Sequence, residues 1–181
     1  RVRQEAARRL NVVNEDESRF LWVTDFPLFA HGSEQGPLVP EHHPFTAVHP
    51  DDLGLLDSAP WKARSLAYDI VYNGLELASG SIRISDPVMQ ERLFGLLGIN
   101  EEEAMTRFGF LLEGLRSGAP PHGGIALGFD RIAMLLAGGE SLRDVIAFPK
   151  TTAARSLFED APTVVPREDL DALHIAPVAH A

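Results

Sequence analysis

The 181-residue sequence predicts an α+β fold, an antiparallel β-sheet flanked by helices, on three observations. Tyr68 to Ser85, YDIVYNGLELASGSIRIS, alternates apolar and polar residues on either side of Asn73-Gly74, the strongest short-range hairpin signal. Residues 87–117 place apolar side chains at helical spacing behind two polar caps. GGIALGFDRIAMLLAG then runs strand, glycine and helix without interruption. Strands gathered beside helices, without strict βαβ alternation, favour a segregated α+β layering.

The elements follow in order. RVRQEAARRL puts Val2, Ala6 and Leu10 on a narrow helical stripe and is expected to be a leading helix or the end of a preceding domain, residues 1–17. Phe20 to Pro27, FLWVTDFP, is aromatic and β-branched and predicts a buried strand that opens the main domain, 18–172. Ala30 to Pro40 carries two glycines and two prolines and predicts a loop. In EHHPFT, Pro44 holds His43 extended. Val48 to Ala63 lacks periodicity and predicts a loop with one helical turn. Asp86-Pro87 starts a helix that buries Met89, Leu93, Leu96 and Leu97 and ends at Gly98. Asn100, with Glu103 in the capping position, starts another that buries Ala104, Met105, Phe108, Leu111, Leu112 and Leu115 before Gly118. A third follows the glycine strand and stops at Gly138-Gly139, and residues 173–181 are expected to be a loosely ordered tail.

Sixteen Lys and Arg against 26 acids give a net charge of −10, which repels a phosphate backbone unless cations cluster; the main grip on any nucleic acid is expected outside this chain. Without cysteine there is neither a disulfide framework nor a thiolate metal site. No apolar run approaches a membrane span or a signal-peptide core, so a cytoplasmic setting without membrane contact is expected.

Counting register from the Asn73-Gly74 turn sets Tyr72 opposite Leu75, Val71 opposite Glu76 and Asp69 opposite Ala78. Asp69 and Glu76 then share a face as diagonal neighbours about 7 Å apart, close enough to share a cation. Ile70, Tyr72, Leu75 and Leu77 form the opposite, core-facing side. Beyond Leu77 the apolar residues fall on even numbers, Ile82 and Ile84, so the parity has slipped by one. A β-bulge within Ala78-Ser79-Gly80 accounts for the slip and turns Ser81, Arg83 and Ser85 onto the acidic face. The bland reading of this surface is a solvated sheet face with an ordinary charge pair. The glycine strand is neither a Walker loop nor a dinucleotide fingerprint. It does place Arg131 in the first turn of a helix, which suits an anion, although a plain strand-to-helix turn capped by Asp130 would read the same way. His42 and His43, adjacent on extended chain, point to opposite faces and do not make a zinc pair; a ligand contact fits them better.

Taken together, HHPFT at 42–46, YDIVYNGLEL at 68–77, SGSIRI at 80–85, PPHGGIALGFDRIAMLLAG at 120–138 and SLRDVIAFPKT at 141–151 resemble the bacterial-type aspartyl-tRNA synthetases, class II aminoacyl-tRNA synthetases. The likeness runs from about Phe20 to Leu170, with the glycine strand and its helix resembling motif 3 of that class. It implies that Arg83 pairs with the side-chain carboxylate of substrate L-aspartate, that His42 is a second aspartate contact and that His43 is a further candidate. It implies that Asp69 and Glu76 hold Mg²⁺ bridging the phosphates of ATP, with Ser81 close by. Glu76, Gly128, Phe129, Asp130 and Arg131 would meet ATP, Arg131 at the γ-phosphate.

The implied chemistry is formation of aspartyl-adenylate and transfer of the aspartyl group to aspartate tRNA, by an enzyme that is homodimeric when complete. Departures are visible: the family usually has three glycines where this chain has Ala78-Ser79-Gly80, and a histidine at Ser85. Motifs 1 and 2 and an anticodon-binding domain are not found here and are expected upstream, so the chain is expected to be an inactive fragment when alone. A truncated paralogue that binds aspartate or a nucleotide without catalysis is the alternative.

Overall fold

In the computed structural model, residues 2–14, 17–31, 36–156 and 158–177 are described. The chain forms two compact units, Arg1–Gly128 and Phe129–Ala181.

The first unit opens with helix α1 (Val2–Arg9), whose Val2 is largely solvent-exposed. Strand β1 (Phe20–Val23) is exposed, against the buried strand expected, and shorter than the sequence implies, since Asp25 just beyond it takes a positive φ of 59° that breaks the extended chain. The predicted loop 30–40 has paired ends: β2 (Phe29–His31) and β3 (Leu38–Pro40) make a two-stranded sheet. Its middle, residues 32–35, lies outside the described residues. Between Val48 and Ala63 there is more order than one turn: 3-10 turns at Pro50–Asp52 and Pro60–Lys62 flank α2 (Leu55–Ser58). Strands β4 (Ala67–Tyr72) and β5 (Leu75–Ile82) form the predicted hairpin, with Asn73 and Gly74 at φ 44° and 85° as the primed turn demands. Helices α3 (Pro87–Leu96) and α4 (Glu101–Arg116) are capped by the side chains of Asp86 and Asn100, as expected. Strand β6 (Gly123–Leu127) completes a four-stranded antiparallel sheet in the order β1-β4-β5-β6.

The hairpin register corrects two expectations. Tyr72↔Leu75 and Val71↔Glu76 hold, but the next pair is Ile70↔Ala78, so the extra residue is Leu77 and Asp69 faces Ser79. The parity slip was legible; its position was not, because it depends on the next strand. The carbonyl of Leu77 accepts a hydrogen bond from the Gly128 N–H at 2.8 Å, on the far side from β4. Gly80 serves a different purpose. A Cβ there would lie 2.2 Å from the Gly124 carbonyl oxygen and 2.5 Å from the Tyr68 ring, which covers the position while its hydroxyl donates to Gly124.

The core also lies elsewhere than expected. Of the four residues expected to face the core, Leu77, the bulged one, is buried, but the face of Ile70, Tyr72 and Leu75 also carries Phe20, Trp22 and Leu127, which are more than 60% exposed. Burial is concentrated in two clusters away from it. Leu28, Phe29, Val48, Leu56, Ala63, Ile84 and Leu93 form one; Phe94, Ala104 and Leu112, with Phe45 and Phe108 against them, form the other. Met105, expected inside, is exposed.

The second unit contains α5 (Phe129–Leu136), a 3-10 turn at Leu142–Asp144 closed by a Ser141/Asp144 capping box, and α6 (Arg167–Ala172), which the sequence reading did not anticipate. Helix α5 starts one residue before Asp130, which therefore lies in its first turn and is not its cap. Of the expected tail, 178–181 lie outside the described residues. Among the described residues no helix is long and apolar enough to cross a membrane.

Candidate functional site

Strand alternation decides which side chains meet. Through Ala67↔Ser81, Asp69↔Ser79 and Val71↔Glu76, the residues Asp69, Glu76, Ser79 and Ser81 share one sheet face, and Arg83 continues it. The bulge at Leu77 makes this possible, since without it Ser79 and Ser81 would face the other way. Arg83 leaves β5 in an antiparallel bridge to Thr46, with its N–H donating to the His122 carbonyl at 2.9 Å. Its Nη1 donates to Ser81 Oγ at 2.6 Å. Ser81 is 1% exposed, so the guanidinium is steered by a side chain that has nowhere else to go.

The histidine pair divides. His43 brings its ring against Arg83 Nη1, while His42, exposed, stands edge-on to Phe26 with ring centroids 4.9 Å apart. The His43 ring is placed by its own turn: the Phe45 N–H donates to Nδ1 at 3.2 Å and Thr46 Oγ1 lies 3.3 Å from the same atom. Partial burial lowers the His43 pKa first, and the positive charge of Arg83 and the neighbouring His42 lower it further. The neutral ring is therefore the favoured form beside the guanidinium.

Asp69 sits at the centre of the sheet, between Val23 on β1 and Ser79 on β5. Among the described residues its Oδ1 is the buried side-chain oxygen left without a hydrogen-bond partner. An ionised oxygen in that state is costly unless a donor or cation reaches it, so the site fits a cation supplied with a ligand. No group of three or more His, Cys, Asp or Glu side chains gathers as a metal cage among the described residues. Two carboxylates completed by phosphate oxygens is the usual arrangement for Mg²⁺, and Asp69 with Glu76 can supply that pair. Gly128 ends the first unit, and Phe129, Asp130 and Arg131 form the first turn of α5 in the second, Phe129 exposed and Arg131 half-buried.

Sequence reasoning missed two supports. Asp52, nearly buried, takes a two-pronged grip from Arg64 (Nε to Oδ2 2.8 Å, Nη2 to Oδ1 2.9 Å) and accepts the Arg64 N–H at 2.8 Å. These bonds hold the Asp52 carboxyl far below the usual carboxylate range. Arg64 lies in the segment that bridges to Pro27 and to His49 just before β4, so the clamp fixes how the hairpin enters the sheet. The other support is Gln90 on α3, 1% exposed, whose Nε2 donates to the Pro44 carbonyl at 2.8 Å. For Gln90 the available signal was a polar residue among apolar ones on a helix face; the Asp52–Arg64 pair carries no such local signal.

Comparison with known proteins gives the family and the fold. The family model described as tRNA synthetases class II (D, K and N) matches residues 2–152. The chain is 51% identical over 174 residues to an aspartate–tRNA(Asp/Asn) ligase of Caldanaerobacter subterraneus and 51% identical over 174 residues to an aspartate–tRNA ligase of Clostridium botulinum. Each alignment covers 96% of this chain and 29% of the relative, so the chain spans less than a third of their length. Among solved structures, the Entamoeba histolytica aspartyl-tRNA synthetase superposes with a TM-score of 0.57 at 23% identity, over 84% of this chain and 26% of that one. The Pyrococcus horikoshii asparaginyl-tRNA synthetase does so with a TM-score of 0.54 at 22% identity, over 75% and 27%. Those two establish the shared fold, an antiparallel sheet with helices. With a family model covering most of its length and relatives at half identity, the chain belongs to the class II tRNA synthetases of the D, K and N group.

Proposed function

We propose that this chain is the C-terminal part of the catalytic domain of an aspartate–tRNA ligase, which activates L-aspartate with ATP and passes the aspartyl group to tRNA. The observation that carries the reading is its 51% identity, over 174 residues, to ligases named for aspartate. The placement of Arg83 on the same sheet face as Asp69 and Glu76 supports it.

Arg83, held by Ser81 and backed by a neutral His43, offers a planar fork of donors to the substrate's side-chain carboxylate. A neutral amide in the same place would forfeit the charge-assisted pairing, which favours aspartate over asparagine. His42 is the second aspartate contact in this reading. Asp69 and Glu76 would hold Mg²⁺ against the ATP phosphates, where it supplies charge neutralisation. The Gly128 to Arg131 turn frames the nucleotide and Arg131 meets the γ-phosphate. The aspartate α-carboxylate then attacks the α-phosphorus, releasing pyrophosphate, and positioning and charge neutralisation lower the barrier without a base from this chain. The complete enzyme acts in the cytoplasm as a homodimer, with aspartate tRNA contacted mainly outside these residues.

Aspartate-dependent exchange between ATP and pyrophosphate by the full-length protein tests the reading. Arg83→Glu should raise the aspartate KM at least a hundredfold, the loss of about 3 kcal/mol expected when a charged hydrogen-bonding partner is reversed, while the ATP KM stays near the parent value. The isolated 181 residues should show no exchange. Unchanged aspartate affinity in Arg83→Glu, or brisk exchange by the isolated chain, would refute the corresponding assignment.

A further inference from the structure

The His43 ring meets the Arg83 guanidinium, yet among the described residues no side chain of the turn itself ties Pro44 in place. Proline has no N–H to give, and its carbonyl is bonded from outside, by Gln90 Nε2 at 2.8 Å. Downstream, Phe45 is fixed twice over. Its ring packs on Phe94 and Phe108, with centroids 6.3 and 5.5 Å away, and its carbonyl accepts from the Ile84 N–H at 3.1 Å. Upstream, Glu41 donates to the Leu28 carbonyl at 3.1 Å. Between these anchors, Gln90 is the side chain that grips the backbone next to His43. It also lines, with Arg83, Phe45, Phe108 and His122, a cavity of about 420 Å³. A glutamine 1% exposed on an otherwise apolar helix face pays a desolvation cost that leucine would avoid.

We propose that Gln90 is a positioning residue of the carboxylate pocket. By holding the Pro44 carbonyl it fixes the His42-His43-Pro44 turn and keeps the His43 ring against Arg83. The substrate consequence rests on the aspartate–tRNA ligase reading; the placement of His43 does not.

Gln90→Met, in the full-length protein, keeps the side chain's length and burial and removes the donor. The aspartate KM in pyrophosphate exchange should rise about tenfold, the usual effect of one buried hydrogen bond, with the ATP KM and kcat within about twofold. In a His43→Ala background the same change should add less than about twofold, because the group it positions is gone. Carbethoxylation of His43 by diethyl pyrocarbonate, mapped by peptide mass spectrometry against His49, should accelerate several-fold in Gln90→Met with no substrate present. Gln90→Glu, whose carboxylate at pH 8 offers the Pro44 carbonyl no donor, should behave likewise and serves if the methionine variant does not fold. Equal His43 reactivity and an unchanged aspartate KM would overturn the proposal, as would equal losses with and without His43. A parent protein inert toward aspartate whose His43 still becomes reactive in Gln90→Met would refute the ligase reading and leave the positioning role standing.

Discussion

At the scale of single residues, Gly80 shows how one position is fixed by neighbours that are remote in sequence. Glycine there looked like the marker of a bulge, but the bulge is at Leu77 and Gly80 makes room for β6 and the Tyr68 ring. Gly80→Ala should therefore lower stability by about 3 kcal/mol, the upper end for overpacking, because the nearest obstacle is the Gly124 backbone and cannot swing aside. A shift in the urea midpoint measures it. Local signals were legible at this scale: the Asn73-Gly74 turn, the parity change before Ile82 and the shared face of Asp69, Glu76 and Arg83 all follow from counting by twos. Which histidine meets Arg83 was not, since it depends on how the turn at Pro44 is gripped from α3.

At the scale of elements, the helices were the most readable part, because caps and apolar stripes are encoded within a few residues. The side-chain oxygen of Asn100 accepts the Glu103 N–H at 2.9 Å, and Gly98 and Gly118 close α3 and α4 at φ 77° and 102°. Asn100→Ala should cost about 1 kcal/mol, again visible in the urea midpoint, while Asn100→Ser should cost little. Irregular segments were the least readable. The 3-10 turns between Val48 and Ala63 are organised by the clamp from Arg64 to Asp52, twelve positions away, and no periodicity announces such a pair. Acid should loosen it. The folded state binds the Asp52 proton far more weakly than the unfolded chain, so this stabilisation is complete above the ordinary carboxylate value of about 4 and is lost as pH falls below it. Protection of the Arg64 amide, which donates to Asp52, should fall as pH drops below about 4 after correction for intrinsic exchange. Asp52→Asn should be less protected at neutral pH and nearly flat in acid. His43 has the same sign in a higher window: its lowered pKa costs the folded state nothing above the ordinary value of about 6.5 and penalises it below.

At the scale of the whole molecule, the α+β class was legible and the location of the core was not. Alternation correctly sorted the sheet residues into two faces, and it was natural to assign the apolar face to the interior. Instead Phe20, Trp22 and Leu127 stand in solvent, and although Ala67, Leu77 and Ala78 of the hairpin are buried, the two core clusters are built from α3, α4 and the irregular segments around Leu28 and Leu56. A periodic pattern says that two faces differ, not what covers either of them. The bulge at Leu77 carries a different kind of consequence, one of arithmetic. Because a single uncounted residue separates the acids of the hairpin from its arginine, the stretch from Glu76 to Arg83 can exchange letters, as Ala78 and Ser79 do, but it cannot change their number: one residue fewer would send Ser81 and Arg83 through to the back of the sheet.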